Sequence, residues 1–233
     1  MRRAILASLI VVFATAFAPA PLQRREPRGV FVERFTEPAE DVTKGYRSFG
    51  YETTLRGCKG DVSGGRLLLR GDHVQEGDQR LVVTASRVTG KASWPDSLEV
   101  TARLGGTAKG SGAWHVGVSI GRVKILFHPD YQGGAFRAET VDTHEEFFGN
   151  QDVGFTPAAG VAHLMTVRVR RTGSGYRFDV TLEQAGGGSG GKHRKAFEVS
   201  DKQMGRFDRV SLERSGRRGG DALFESLTIR PGK

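Results

Sequence analysis

Read for polarity alone, the chain repeats one device: a short run of alternating apolar and polar residues, closed by glycine, asparagine or aspartate. Tyr176, Phe178, Val180 and Leu182 alternate with Arg177, Asp179, Thr181 and Glu183, a period of two that sends one set inward and the other outward. Val210 and Leu212 alternate in the same way with Ser211 and Glu213. The pattern predicts strands near residues 30–35, 66–70, 80–86, 97–104, 113–120, 122–128 and 135–141. It continues at 162–171, 175–183, 194–199, 207–214 and 222–230, where β-branched and aromatic residues are bounded by turn residues. Beyond the first residues no long window carries apolar residues at i, i+3, i+4 and i+7, so long helices are not expected. One turn of helix is expected at Ser200–Met204, with Ser200 as its N-cap and Gly205 ending it. The prediction is an all-β, antiparallel two-sheet sandwich of about 11 to 13 strands with at most one short helical turn.

The run from Ala4 to Ala18 is apolar, follows Arg2 and Arg3, and ends in small residues at alternate positions. This is the layout of a secretory signal peptide. Cleavage after Ala14-Thr15-Ala16 satisfies the small-x-small rule and makes residues 1–16 the expected leader. The run falls short of the roughly 20 residues a membrane-crossing helix needs, and no later segment could span a membrane. Residues 17–28 include the Pro- and Arg-rich stretch Pro19–Arg28 and read as a disordered linker. Residues 29–231 read as one sandwich domain, with Gly186–Gly191 as a flexible hairpin loop. The expected location is secreted, periplasmic or at the cell surface.

Charge and cysteine usage narrow the field. Cys58 is the only cysteine, which excludes an internal disulfide and the cysteine-based metal motifs. A domain of this size buries enough surface to hold together without one. The formal charge of +9 draws an exported domain toward anionic polysaccharides, lipid headgroups or wall polymers, an attraction that weakens with salt. The basic stretches Lys192–Lys195 and Arg214–Arg218 lack interleaved aromatics, so nucleic acid is not an expected partner. The sequence sets no oligomeric state.

The densest mixture of aromatic and ionisable residues runs through Trp114–Val118, Phe127–Tyr131 and Phe136–Glu139. If Trp114, Val116 and Val118 face the core, His115 shares the opposite face with Gly117 and Ser119, whose small side chains leave room for a ligand. Ligand sites pair aromatic or apolar surface with a few polar groups that fix orientation. The candidate ligand-binding residues are therefore Trp114, His115, His128, Asp130, Tyr131, Arg137 and Glu139, and Glu139 with His128 is the alternative catalytic pair. His144-Glu145-Glu146-Phe147-Phe148 opens like a zinc-protease motif but lacks its second histidine, and reads as an acidic loop ahead of an aromatic pair. No cofactor is required, although Asp142, Asn150, Gln151 and Asp152 supply the oxygen ligands calcium accepts.

Several segments together resemble the concanavalin A-like lectin and glucanase jelly-roll superfamily, which includes laminin-G-like sandwiches and exported bacterial domains of unknown function. Phe31–Phe35 and Gly64-Gly65-Arg66-Leu67-Leu68-Leu69 look like its first two strands, and Met165–Val169 and Asp221–Leu227 like its late strands. The resemblance implies a jelly-roll sandwich and adds Glu33 and Asp221 as calcium candidates. It points to three functions: a non-catalytic module binding carbohydrate or another extracellular polymer, a sugar-acting hydrolase of the 3-keto-disaccharide type, or a surface protein-interaction or structural domain. Two departures matter. The chain has no Glu-x-Asp-x-x-Glu or Glu-x-Asp-x-Glu strand to supply the two carboxyls about 5 to 5.5 Å apart of a retaining glycosidase. His163-Leu164-Met165 stands where the hydrolase group commonly opens a strand with tryptophan.

Overall fold

The computed structural model describes residues 29–54, 59–71, 76–107, 114–129, 134–155, 157–185, 191–217 and 219–232. The expected leader and linker (1–28), Cys58, Asp130, Tyr131, Arg218 and the loop glycines 186–188 and 190 lie outside the described residues. In chain order the elements are β1 (Phe31–Glu33), β2 (Gly50–Thr53), β3 (Gly60–Ser63), β4 (Arg66–Leu69), β5 (Glu76–Thr84) and α1 (Ala85–Thr89). They continue with β6 (Ser97–Gly106), β7 (Trp114–Ile120), β8 (Val123–His128), β9 (Ala135–Thr140), β10 (Glu146–Asp152) and β11 (His163–Thr172). The last are β12 (Gly175–Glu183), β13 (Lys192–Ser200), α2 (Asp201–Met204), β14 (Arg209–Arg217) and β15 (Ala222–Pro231).

The strands pair antiparallel into two sheets. One has eight strands in the order β13-β12-β11-β6-β15-β4-β3, with β1 also paired to β15; the other has seven in the order β10-β9-β8-β7-β14-β5-β2. Alternation decides which side chains meet between them. Val116, Val118, Ile125, Phe127 and Leu212 of the seven-stranded sheet pack against Val100, Val167, Phe178 and Leu227 of the eight-stranded one in a single continuous core. Each such side chain contributes about 1.5–3 kcal/mol through burial. The architecture is the all-β two-sheet sandwich that the period-two pattern predicts.

The differences from expectation are local. There are fifteen strands among the described residues and two short helices, more than the 11 to 13 strands and single turn expected. β2 and β3 have four residues each, too few for alternation to register. β10 occupies part of the expected acidic loop, and register shifts on either side of Phe148 break its pattern. The expected strand end at residue 86 is instead α1, which Gly90 closes in the left-handed conformation, φ 73°, where glycine carries no Cβ penalty. α2 is capped by reciprocal bonds between Ser200 and Gln203 and ends at Gly205. No helix among the described residues is long and apolar enough to cross a membrane.

Candidate functional site

The alternation that turns Val116 and Val118 inward turns His115, Gly117 and Ser119 to the face of the seven-stranded sheet that points away from the core. Register then assembles charges from distant strands on that face. Lys124 lies between Ser119 and Glu139, while β14 and β5 place Glu213 opposite Arg80 and Ser215 opposite Asp78. Lys124 is 0% exposed, with its Nζ 3.0 Å from Asp78 Oδ2, 3.5 Å from Glu139 Oε1 and 3.6 Å from Glu213 Oε1. Arg80 joins Asp78 at 2.5 Å to Glu213 at 3.3 Å. Arg137 joins Glu139 to Glu146, and the Ser215 hydroxyl donates to Asp78 Oδ1 at 2.6 Å.

Charges this deep persist only when paired. Burial works against the Lys124 ammonium, but Glu213 and Asp78 outweigh it and hold its pKa above the ordinary lysine value. Burial likewise pushes Asp78 up, and Lys124, the Ser215 hydroxyl and Arg80 together pull it below the ordinary carboxylate value. At one end of the face the His115 and His128 rings meet edge to face, 5.0 Å between centroids. His115 is pushed down to about 3, by burial first and then by His128, Arg137 and Lys124. It is therefore neutral at pH 7, and its buried Nε2 has no hydrogen-bond partner among the described residues.

Backbone strain occurs beside this network and at one place away from it. His144 holds φ 53° and sets its Nδ1 3.0 Å from Glu139 Oε1. The other two non-glycine residues with left-handed backbone among those described, Phe35 and Arg47, flank the buried carboxylate of Glu33, which accepts the N–H groups of Arg34 and Phe35 and pairs with Arg47. Strain of this kind persists where the surroundings over-determine it.

At the other end of the face a groove of about 310 Å³ opens to solvent. Its floor contains Ser119 and Ser211, directly opposed across β7 and β14 and each 2% exposed. Neither hydroxyl has a hydrogen-bond partner among the described residues. Arg80, Arg122, Arg206 and Arg209 wall the groove against only Glu52 and Asp142. Arg122 pairs with Asp142 at 2.7 Å, Arg209 with Glu52 at 3.2 Å and Asp208 at 3.3 Å, and Arg80 with Asp78 and Glu213, while Arg206 is exposed and makes no ion pair among the described residues. A Cβ on Gly205 would stand 2.5 Å from Arg122 Cδ, so the glycine ending α2 leaves the space in which the Arg122 stem lies.

The structure gathers His115, His128, Arg137 and Glu139 on one face, but none of them lines this groove. Trp114 faces the other way. It is fully buried in the core, held where a Cβ on Gly106 or Gly219 would meet its indole at 2.3 or 2.2 Å, and so presents no platform to solvent. The calcium candidates are separately engaged: Glu33 with Arg47, Asp142 with Arg122, Asp221 with Arg70, and Asp152 with the Gly154 N–H. Among the described residues no three His, Cys, Asp or Glu side chains group so as to hold a metal ion. Sequence reasoning did not single out Lys124, Asp78, Arg80, Glu213 or the groove arginines. The one available signal was the small polar residues Ser119 and Ser211 at outward positions of alternating strands.

No family model matches this chain, and no curated protein matches it. Solved structures share its architecture. An endo-1,3-beta-glucanase from Streptomyces sioyaensis superposes with TM-score 0.52 and 13% identity, covering 92% of this chain and 100% of that one. Lectin II from Ulex europaeus gives 0.54 and 8%, covering 86% and 97%. A protein of unknown function from Shewanella oneidensis MR-1 gives 0.55 and 11%, covering 86% and 84%. At such identities the likeness is one of fold, and the fold is the concanavalin A-like sandwich.

Proposed function

We propose that this chain is an exported, non-catalytic module that binds carbohydrate on the outward face of the seven-stranded sheet, in the groove floored by Ser119 and Ser211. The observation that carries the reading is a contrast on that one face. The groove is open, and the two carboxylates that line it, Glu52 and Asp142, are paired with Arg209 and Arg122, whereas Glu139 and Glu213 deeper on the face share the Lys124 ammonium and are 4% and 0% exposed. A general acid must reach the leaving oxygen; Glu139 and Glu213 are sealed below the surface, and the groove carboxylates Glu52 and Asp142 are each held by an arginine. A glucanase and a lectin built on the same sandwich support a carbohydrate ligand, and the apolar run behind Arg2 and Arg3 supports export.

The test is thermal unfolding of the full chain against soluble neutral and acidic glycans, with calcium as a separate arm, since a ligand of the native state raises apparent stability by RT ln(1 + [L]/Kd). Saccharide-dependent stabilisation without release of reducing ends is the expected result. Cleavage of a saccharide that is lost in Glu139→Gln would replace this reading with the hydrolase one. Stabilisation by no glycan, together with a stable oligomer in light scattering, would replace it with an assembly role.

A further inference from the structure

We infer that the groove is built around an anion subsite, so that the glycan it takes is acidic, carrying carboxylate or sulfate groups; this deepens the carbohydrate-binding reading and rests on it. Two independent features converge. The first is the floor: Ser119 and Ser211 stand side by side through the β7–β14 register at the bottom of the groove, and neither hydroxyl is engaged by another of the described residues. Each hydroxyl can donate one hydrogen bond, and a ligand oxygen in the groove would accept from both. Ser119 and Ser211 face the floor from neighbouring strands, close enough for one tetrahedral or planar oxyanion to accept from the pair.

The second feature is the wall. Four arginines line the groove; Arg80 is committed to Asp78 and Glu213 and Arg209 to Glu52 and Asp208, so the donors open to a ligand are those of Arg206 and part of Arg122. The carboxylates occupy only part of the donor capacity. Among the described residues Arg206 has no ion pair, and Arg122 uses one terminal nitrogen on Asp142 while its buried Nε has no hydrogen-bond partner. A guanidinium offers five N–H donors in a planar fork that suits a carboxylate or sulfate. Gly205 and the Arg122 N–H bond to the Met204 carbonyl, 2.9 Å long, fix the approach of the Arg122 side chain to the groove. A neutral glycan would leave these donors facing hydroxyls alone, whereas an acidic one pairs with them directly.

The experiment compares dextran, dextran sulfate and polygalacturonate binding to the full chain by calorimetry at low and physiological salt, with inorganic sulfate followed separately by NMR of the Ser119, Ser211 and Arg206 resonances. Arg206→Gln and Ser211→Ala probe the site, and Arg177→Gln removes the same charge from the opposite sheet as a control. The expected result is tighter binding of an acidic polymer than of dextran, a loss of about tenfold in Arg206→Gln, a smaller loss in Ser211→Ala, and little change in Arg177→Gln. Equal losses in Arg206→Gln and Arg177→Gln would overturn the subsite, because they mark general attraction of a polyanion to a basic protein. Dextran binding unaffected by Arg206→Gln, with no sulfate-induced shift at the groove, would overturn the subsite and leave the carbohydrate reading standing. Sulfate binding at the groove without binding of any glycan would support the subsite and overturn that reading.

Discussion

The two outward faces of this sandwich carry the same ingredient, stripes of alternating charge across adjacent strands, and put it to opposite use. On the eight-stranded sheet Arg230, Glu99 and Arg168 form one stripe, with contacts of 3.1 and 2.7 Å, while Arg170, Asp179 and Arg177 form another. These side chains stand in solvent, Arg168 being 63% exposed. On the seven-stranded sheet the centre of the stripe, Glu139, Lys124 and Glu213, is buried, and the flanking Arg137 and Arg80 are partly so. Exposed pairs gain little because water screens them, whereas desolvated ones cost heavily if either partner is lost. Sign pattern alone therefore does not distinguish a solubilising face from a rigid one; depth does.

The sharpest break of this comparison is Lys124→Met. It strands three carboxylates around an apolar side chain, and the expected loss is about 3–5 kcal/mol in urea unfolding at unchanged m-value. A loss no greater than that of an exposed pair would show that the network is solvated after all. Next comes Gly117→Ala, whose new Cβ would lie 2.1 Å from the Ile125 carbonyl oxygen; pushing β7 and β8 apart is expected to cost about 1–3 kcal/mol. Retained stability would mean that the strands part freely.

The third is a pH profile. The folded pKa of His115 is lowered from 6.5 to about 3, so across that window the unfolded chain binds a proton that the folded chain refuses, and stability falls as pH falls. One such proton contributes up to about tenfold in the folding equilibrium constant per pH unit. His115→Gln should flatten the profile by about one proton, and an unchanged slope would assign the refusal elsewhere. Asp78 acts at the acid end, where its lowered pKa adds stability that disappears as it protonates. Smallest is Arg168→Gln on the exposed stripe, expected to cost less than about 1 kcal/mol; a larger value would erase the distinction between the faces.

Much of this architecture was legible residue by residue. Alternation in Tyr176–Leu182 and Val210–Glu213 reports which side chains face the core, because a strand's two faces see different solvents. The cap of α2 was legible because Ser200 and Gly205 act through local backbone chemistry. The charged network was not, because Asp78, Lys124 and Glu213 lie in β5, β8 and β14, and only the order β8-β7-β14-β5 brings them together. An outward lysine in a solvated strand and one sealed against three carboxylates look the same in sequence. Trp114 misled for a related reason: an aromatic residue among polar neighbours fits a ligand platform and a core anchor equally, and the glycines that seat it lie at positions 106 and 219.

The order of the seven-stranded sheet also bears on how the chain reaches this state. Asp78 finds Ser215 across 137 positions, and Lys124 lies 91 positions from that serine. Closing such long loops makes folding slow. Interactions that form after the transition state act mainly by slowing unfolding. If the charged stripe closes late, its cations and carboxylates stay hydrated until β14 docks, and its rupture must come early in unfolding. Its chief effect would then be on lifetime: a sheet slow to assemble and, once assembled, slow to come apart.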